Sequence, residues 1–309
     1  TRTHEPTKIL EDMVWVEGNQ ETGHRTTIRS GLPAPTWRKL YGGVQPSKSE
    51  TVQVTDTIGT MEAYAEVDKA LADLNGNTAA FRMSEDMAHI EGINQELSKT
   101  LFYGDEGTDA EEFTGLRPRF DDDDAAVGDN ILEGFHYGGD ALVSNANTSI
   151  WLVVWGPNTV HGIYSKGSQM GLSKDDKGQV TIEDTTSSGG GRMEAYRTHY
   201  KWGCGLSVRD WRYIVRMQVE TADLTESVAN LSLVDMMSDA CELVPSLSMG
   251  RAAFYCNRKA KQFLRKQFVD KVKQSTLAMD EIGGRSTLTF DGIPIRKVDS
   301  IIETESPVS

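Results

Sequence analysis

Residues 288–296 read Leu-Thr-Phe-Asp-Gly-Ile-Pro-Ile-Arg, and two other distinctive runs precede them. These are Lys-Trp-Gly-Cys-Gly-Leu-Ser-Val-Arg at 201–209 and Ala-Phe-Tyr-Cys-Asn-Arg at 253–258. An Asp-Gly pair between apolar residues is a two-residue hairpin signal, because both turn positions favour positive φ. It predicts a ribbon of strands over 286–290 and 293–302, hinged on Asp291 and Gly292. Phe-Asp-Gly-Ile-Pro by itself is only a tight turn. The three runs together, in this order and at these separations, carry the fold.

Working back from the ribbon, two half-apolar segments with charged opposite faces read as helices. The first spans 225–243, opened by Thr225, with Val228 and Leu231 inward and Pro245 closing it. The second spans 250–272 and carries Phe254, Lys261, Phe263, Leu264, Arg265, Phe268 and Lys271. Strands are expected over 193–200 and 206–219. They hold Arg197, His199, Lys201, Arg209, Arg212 and Arg216, for which carboxylates on another chain are the expected partners. Residues 165–192 are polar and glycine-rich and read as a loop, with a flexible tip at 187–191. Upstream, Ile-Trp-Leu-Val-Val-Trp at 150–155 is a continuous apolar run, as expected of a strand buried on both faces, and Gly156-Pro157 stops it.

The N-terminal third is different in character. Residues 1–24 are polar apart from Met13-Val14-Trp15-Val16, and read as an arm in which that knot forms a strand against something. Over 25–74, Thr26-Thr27-Ile28-Arg29 and an alternating segment at 50–61 flank turn-rich residues at 31–43. Val52, Val54 and Ile58 share a parity, as in a half-buried strand. A long hairpin with so little core of its own normally lies on another surface, and periodicity alone equally allows an edge hairpin folded back on its own domain. From 77 to 103 runs the longest helix. Met83, Met87, Ile90, Leu97 and Leu101 form its apolar face, and Gly104 ends it. At 1.5 Å per residue this is a spine of roughly 40 Å. The acidic stretch at 109–128, with Asp121 to Asp124 in a row, lacks the alternating ligand spacing of a calcium loop and reads as solvated.

The totals restrict function. The chain has 309 residues, 32 Lys and Arg against 46 Asp and Glu, and a net charge of −14. General nucleic-acid binding needs clustered positive charge and is disfavoured. Cys204, Cys241 and Cys256 form no C-x-x-C and read as buried hydrophobes. Residues 1–10 have no apolar signal core, and no run reaches the roughly 18 apolar residues of a membrane span. Dinucleotide, P-loop, nucleophile-elbow and zinc-helix motifs are absent, so no cofactor, metal or catalytic residue is assigned. For an unmotifed α+β enzyme, Arg197, His199 and Asp210 are a conceivable polar cluster.

In this order, arm, extended hairpin, spine helix, mixed middle and C-terminal ribbon, the chain resembles a major capsid protein of tailed double-stranded DNA phages with the HK97-like fold. The three C-terminal runs and the spine helix with Gly104-Asp105 carry the resemblance, which spans nearly the whole chain. It implies an α+β fold with an N-terminal arm at 1–24 and an extended loop (the E-loop) at 25–75. It further implies a peripheral P-domain at 76–129 and 285–309, and an axial A-domain at 130–284. By the same resemblance the subunit self-assembles into hexamers and pentamers of an icosahedral head enclosing double-stranded DNA. Shells form in the host cytoplasm, with a scaffolding protein, a portal and in some cases a decoration protein as partners. Trp15, Trp37, Lys39, Lys48, Arg197, Arg209 and Arg212 are the expected inter-subunit contacts. Some relatives carry a cleaved N-terminal scaffolding segment; here about 75 residues precede the spine, which implies a separate scaffold or prior removal. Some link an E-loop lysine to a neighbour's asparagine. Lys39 and Lys48 are available, but no matching catalytic carboxylate signature is visible. Encapsulin shells share the fold, yet residues 1–12 show no amphipathic cargo-receiving helix.

Overall fold

The run at 150–155 is the centre of the molecule. In the computed structural model it lies in a strand, Asn147–Trp155, in which every residue is buried. The structure describes residues 9–74, 76–183, 190–225, 231–269, 277–282 and 285–308. Chain order begins with α1 (Ile9–Asp12), β1 (Trp15–Glu17), β2 (Gly23–Gly31), β3 (Glu50–Thr57), β4 (Gly59–Asp68), α2 (Lys69–Asp73) and α3 (Thr78–Tyr103). Next come β5 (Ile131–Glu133), β6 (Asn147–Trp155), β7 (Val160–Tyr164), β8 (Ser173–Glu183), β9 (Arg192–Val208) and β10 (Ile214–Glu220). Last are α4 (Leu233–Leu243), β11 (Arg251–Cys256), α5 (Arg258–Val269), β12 (Leu277–Ile282), β13 (Arg285–Phe290) and β14 (Ile293–Lys297).

Strand β6 pairs antiparallel with β10 and with β11, and touches β7 at its end. Around it a mixed sheet runs in the order β12-β13-β14-β11-β6-β7-β9-β4, while β2 and β3 form a separate two-stranded sheet. Alternate residues of a strand point to opposite faces, and β6 uses both. Ile150, Leu152 and Val154 pack with α4, α5 and the C-terminal ribbon. Trp151, Val153 and Trp155 pack with α1, the second half of α3, and Val298 and Ile301. One strand therefore joins two cores.

The C-terminal ribbon forms as expected. Asp291 and Gly292 have φ of 48° and 77° and join β13 to β14 in a two-residue turn. Strand β14 then pairs parallel with β11, so Leu288, Phe290, Ile293 and Ile295 join the α4–α5 core, and only the residues beyond Lys297 reach the spine helix. Helix α3 matches its expected span, and the Asn77 side chain caps it by accepting from Ala80 N–H. Gly104 ends it for a different reason than a left-handed cap. Its φ is −56°, and a Cβ there would lie 2.5 Å from the Phe113 carbonyl oxygen.

Several expectations are corrected. Residues 251–256 form β11 rather than the first turns of a helix, and α5 starts only at Arg258. Helix α4 starts at Leu233, capped by Ser232, not at Thr225. The polar stretch 165–192 contains β8, which pairs along β9. The expected break between strands at 200 and 206 is absent, because β9 runs unbroken from Arg192 to Val208. On α3, Met83 and Met87 are 65% and 62% exposed. The inward positions of that first half are Arg82, which pairs with Asp176, and Asp86, which accepts from Lys174. Ile90, Leu97 and Leu101 do face the core. Val52 is half exposed, and the buried residue of that parity in β3 is Asp56. Residues 187–189 of the glycine tip, Val228, Lys271 and the Phe268 side chain lie outside the described residues. The four aspartates are exposed in a loop, as expected. Burial pushes the Cys204, Cys241 and Cys256 thiols up to about 12, 11 and 12, as inert apolar cysteines require.

One charged network crosses the two cores. Arg216 on β10 is fully buried and donates to Glu305 Oε2 at 2.8 Å, to Ser149 Oγ at 3.0 Å and to the Phe120 carbonyl at 2.5 Å. Glu305 also accepts from the Tyr103 hydroxyl at 2.5 Å and from Ser149. This ties the last residues of the chain to the spine helix and to β6. A buried pair is weak evidence of net stability, but removing one partner strands the other. Arg216→Met is therefore expected to cost about 3–5 kcal/mol, read from denaturant midpoints. Pairing it with Glu305→Leu should recover part of that loss, and equal losses in the single and double variants would contradict it. Gly205 on β9 gives a second prediction. A Cβ there would stand 2.4 Å from the Thr57 carbonyl and 3.0 Å from Ile163 Cγ1. Gly205→Ala should destabilise by about 1–3 kcal/mol, and an unchanged melting temperature would contradict this close approach.

Candidate inter-subunit surfaces

The hairpin β2–β3 is regular at its base and has nothing around it at its tip. Its strands pair antiparallel from Gly23↔Thr57 to Gly31↔Glu50, with a bulge between Arg29 and Gly31. Beyond them, Leu32, Trp37, Leu40 and Tyr41 are 80%, 103%, 88% and 104% exposed. Residues 32–49 contain Arg38, Lys39 and Lys48 and no Asp or Glu, in a chain of net charge −14. Covering a leucine of this kind is worth about 1.5–3 kcal/mol. A loop that displays several large apolar side chains among cations is built for contact with something apolar and acidic.

The base of the hairpin is held firmly. Asp56 on β3 accepts from Arg119 Nη2 at 2.9 Å and from Ser207 Oγ at 2.7 Å. Arg119 also donates to the Thr114 and Leu206 carbonyls at 3.3 Å each. The cantilever is thus clamped to the large sheet at one end and free at the other.

The seven expected contact residues separate into two groups. Trp37, Lys39 and Lys48 lie on the exposed loop. Trp15, Arg197, Arg209 and Arg212 have partners in their own chain. Trp15 is half-buried, with its ring 6.1 Å from that of Trp202 and against Gly162, where a Cβ would fall 2.8 Å from Trp15 Cε3. Strand β1 pairs with the chain's own β7, and Ile9 and Met13 are buried in the spine-side core. Asp12 pairs with Arg296 at 3.0 Å. The knot expected to pair with something is therefore docked on its own subunit.

The carboxylates expected on another chain stand on β4. Glu66, Tyr64 and Glu62 lie directly opposite Arg197, His199 and Lys201 in the antiparallel register. Arg197 reaches Glu66 Oε1 at 2.6 Å, Lys201 and His199 reach Glu62 at 3.1 Å each, and the Tyr64 and His199 rings stack 4.4 Å apart. Hydrogen bonds from Lys201 and then His199 hold the Glu62 carboxyl below its ordinary range. The signal was present as two complementary period-2 patterns, Glu-x-Tyr-x-Glu and Arg-x-His-x-Lys. Arg212 grips Asp210 with two bonds, of 2.9 and 2.7 Å, and Arg209 donates to the Pro157 carbonyl and Asn158 Oδ1 at 3.3 and 3.2 Å. Arg197 and His199 both lie against the Tyr64 ring but bond to different carboxylates, and Asp210 pairs with Arg212 instead, so the three do not share a hydrogen-bond network.

Further exposed apolar side chains were not anticipated. Leu71 and Leu74, at the end of α2, and Met83 and Met87 on α3 are 54%, 75%, 65% and 62% exposed. Elsewhere Asp140, Glu220 and Asp223 bring carboxylate oxygens within 4.8 Å of one another, and Asp223 also accepts from the Asp140 N–H. Among the described residues no helix is long and apolar enough to cross a membrane.

Comparison with known proteins fits this geometry. Residues 3–309 match the model of the major capsid protein GP7 family. The chain is similar to one in the structure of bacteriophage Epsilon15, at 35% identity and a TM-score of 0.75, covering all of this chain and 90% of that one. It shares its fold with a chain of the bacteriophage JBD30 capsid, at 10% identity and a TM-score of 0.51, over 97% of this chain and 92% of that one. No curated protein matches. A mixed sheet with a spine helix and a clamped, projecting hairpin, matched from end to end by that family, leaves one conclusion: the chain belongs to the major capsid protein GP7 family, and is a phage capsid shell protein with the HK97-like fold.

Proposed function

We propose that this subunit assembles into hexamers and pentamers of an icosahedral phage head that encloses double-stranded DNA. In this reading the β2–β3 hairpin is the E-loop and fastens each subunit to its neighbour. The observation that carries it is the hairpin tip: large apolar side chains and three cations stand exposed on a strand pair whose foot is clamped by Asp56 and Arg119. A monomer gains nothing from such an arm, whereas a neighbouring acidic copy covers its apolar groups and neutralises its charge. The spine helix is assigned to the P-domain and β6 with its flanking helices to the A-domain. Trp37, Lys39 and Lys48 are the proposed contacts. A subunit of net charge −14 suits a shell whose wall must let DNA slide during packaging, since strong phosphate binding would obstruct it. Scaffolding and portal proteins are proposed partners in host cytoplasm, and the role is structural rather than catalytic.

Deleting residues 33–48 removes only exposed side chains, so the variant is expected to remain soluble and folded. Negative-stain electron microscopy should then show closed angular shells with five- and six-subunit capsomers for the full chain, and none for the deletion. Normal shells from the deletion would overturn the role of the hairpin. A full chain that stays monomeric, alone and with its neighbouring gene products, would overturn the assembly itself.

A further inference from the structure

The two-stranded sheet meets the large sheet through polar groups. At its foot His24 on β2 and Asp56 on β3 are cross-strand partners. Beneath them His161 on β7 and Ser207 on β9 are also cross-strand partners. The two pairs stack: the His24 ring stands edge-on to His161 with centroids 5.8 Å apart, and Asp56 accepts from Ser207. His161 is 1% exposed, and neither of its ring nitrogens has a partner in normal hydrogen-bond geometry, although the Gly156 backbone lies close enough to favour the proton. Buried polar groups are nearly always paired, so an unpaired imidazole at the junction of two sheets is a weak point with a specific chemistry. On the other ring, His24 Nδ1 accepts from the Asn19 N–H at 3.3 Å, a bond that a proton on Nδ1 would abolish.

We propose that this stacked pair makes the hairpin foot an acid-sensitive hinge, in which protonation of His161 and His24 unseats the β2–β3 sheet from β7 and β9 while the β6 core stays folded. The charged groups that reach His161 are His24 from β2, Asp56 from β3 and Arg209 just after β9, with Arg119 acting through Asp56. Burial, then the charges of His24 and Arg209, lower the His161 pKa to about 4, against the raising effects of Asp56 and the Gly156 backbone. Burial likewise lowers that of His24, with Asp56 opposing and Arg209 assisting. A histidine whose pKa is depressed in the seated state binds fewer protons there than when released. The seated state is therefore fully favoured above the ordinary histidine pKa of about 6.5 and loses ground as pH falls toward 4. The hinge belongs to the single subunit, so it can be read without shell assembly.

Hydrogen exchange of the purified full chain, expressed as protection relative to intrinsic rates, tests this at pH 7.5 and 5. His161 alone should raise the population of the released foot on the order of 30-fold over that interval. Released from β7 and β9, a two-stranded sheet is marginal by itself, so amides of residues 24–28 and 53–56 should lose protection by up to that factor, while those of β6 keep theirs. His161→Met fills the same space without titrating and should remove most of the response; His24→Gln should reduce it. Circular dichroism identifies the folded variants, and either one decides the matter. Equal protection at both pH values, a parallel loss in β6, or an undiminished response in the folded variants would overturn the hinge.

Discussion

Strand β6 is the constraint on which the subunit depends. All nine of its residues are buried, and its two faces belong to different cores. Fully burying side chains of this size is worth about 1.5–3 kcal/mol each, so the strand anchors both halves of the molecule. Arg216, Glu305 and Ser149 add a polar lock where the halves meet. What lies far from β6 has little core of its own. The hairpin is the extreme case, regular in its hydrogen bonding and bare at its tip.

Charge follows the same division. Within the subunit, cations are matched in register, with Arg197 and Lys201 facing Glu66 and Glu62 across β9 and β4. On the loop at 32–49 the three cations lie outside this matching and have no acid beside them in sequence. A strongly acidic protein with a cationic, apolar projection has the charge pattern of a self-complementary unit. Electrostatic complementarity of that kind steers and orients association more than it adds raw affinity, and apolar contacts such as Trp37 and Leu40 would supply the binding energy.

Much of this was legible in residue order, and the misses have physical causes. The β6 run and the Asp291-Gly292 turn were readable because each depends on local chemistry alone. Helix α3 was readable in extent and in the facing of its second half, but not of its first, since Arg82 and Asp86 occupy inward positions there by pairing with β8, a strand hidden among polar residues. Strand β8 escaped notice because its side chains are nearly all exposed and its apolar alternation is confined to Val180 and Ile182 at one end. Residues 251–256 passed for helix because a short apolar run has no period that separates a buried strand from a buried helix. The contact residues divided along the same line. The exposure of Trp37, Lys39 and Lys48 followed from their surroundings in sequence, whereas Trp15 and Arg197 have intrachain partners more than 100 residues away, Trp202 and Glu66.

The central claim is that the hairpin exists for a neighbouring copy. Shells assembled from an equal mixture of isotopically light and heavy subunits, then treated with an amine-to-carboxylate crosslinker, address it directly. Crosslinks from Lys39 and Lys48 should join light to heavy peptides as often as like to like, because their acidic partners lie on another chain. Crosslinks confined to like pairs would place the hairpin on its own subunit and contradict the account.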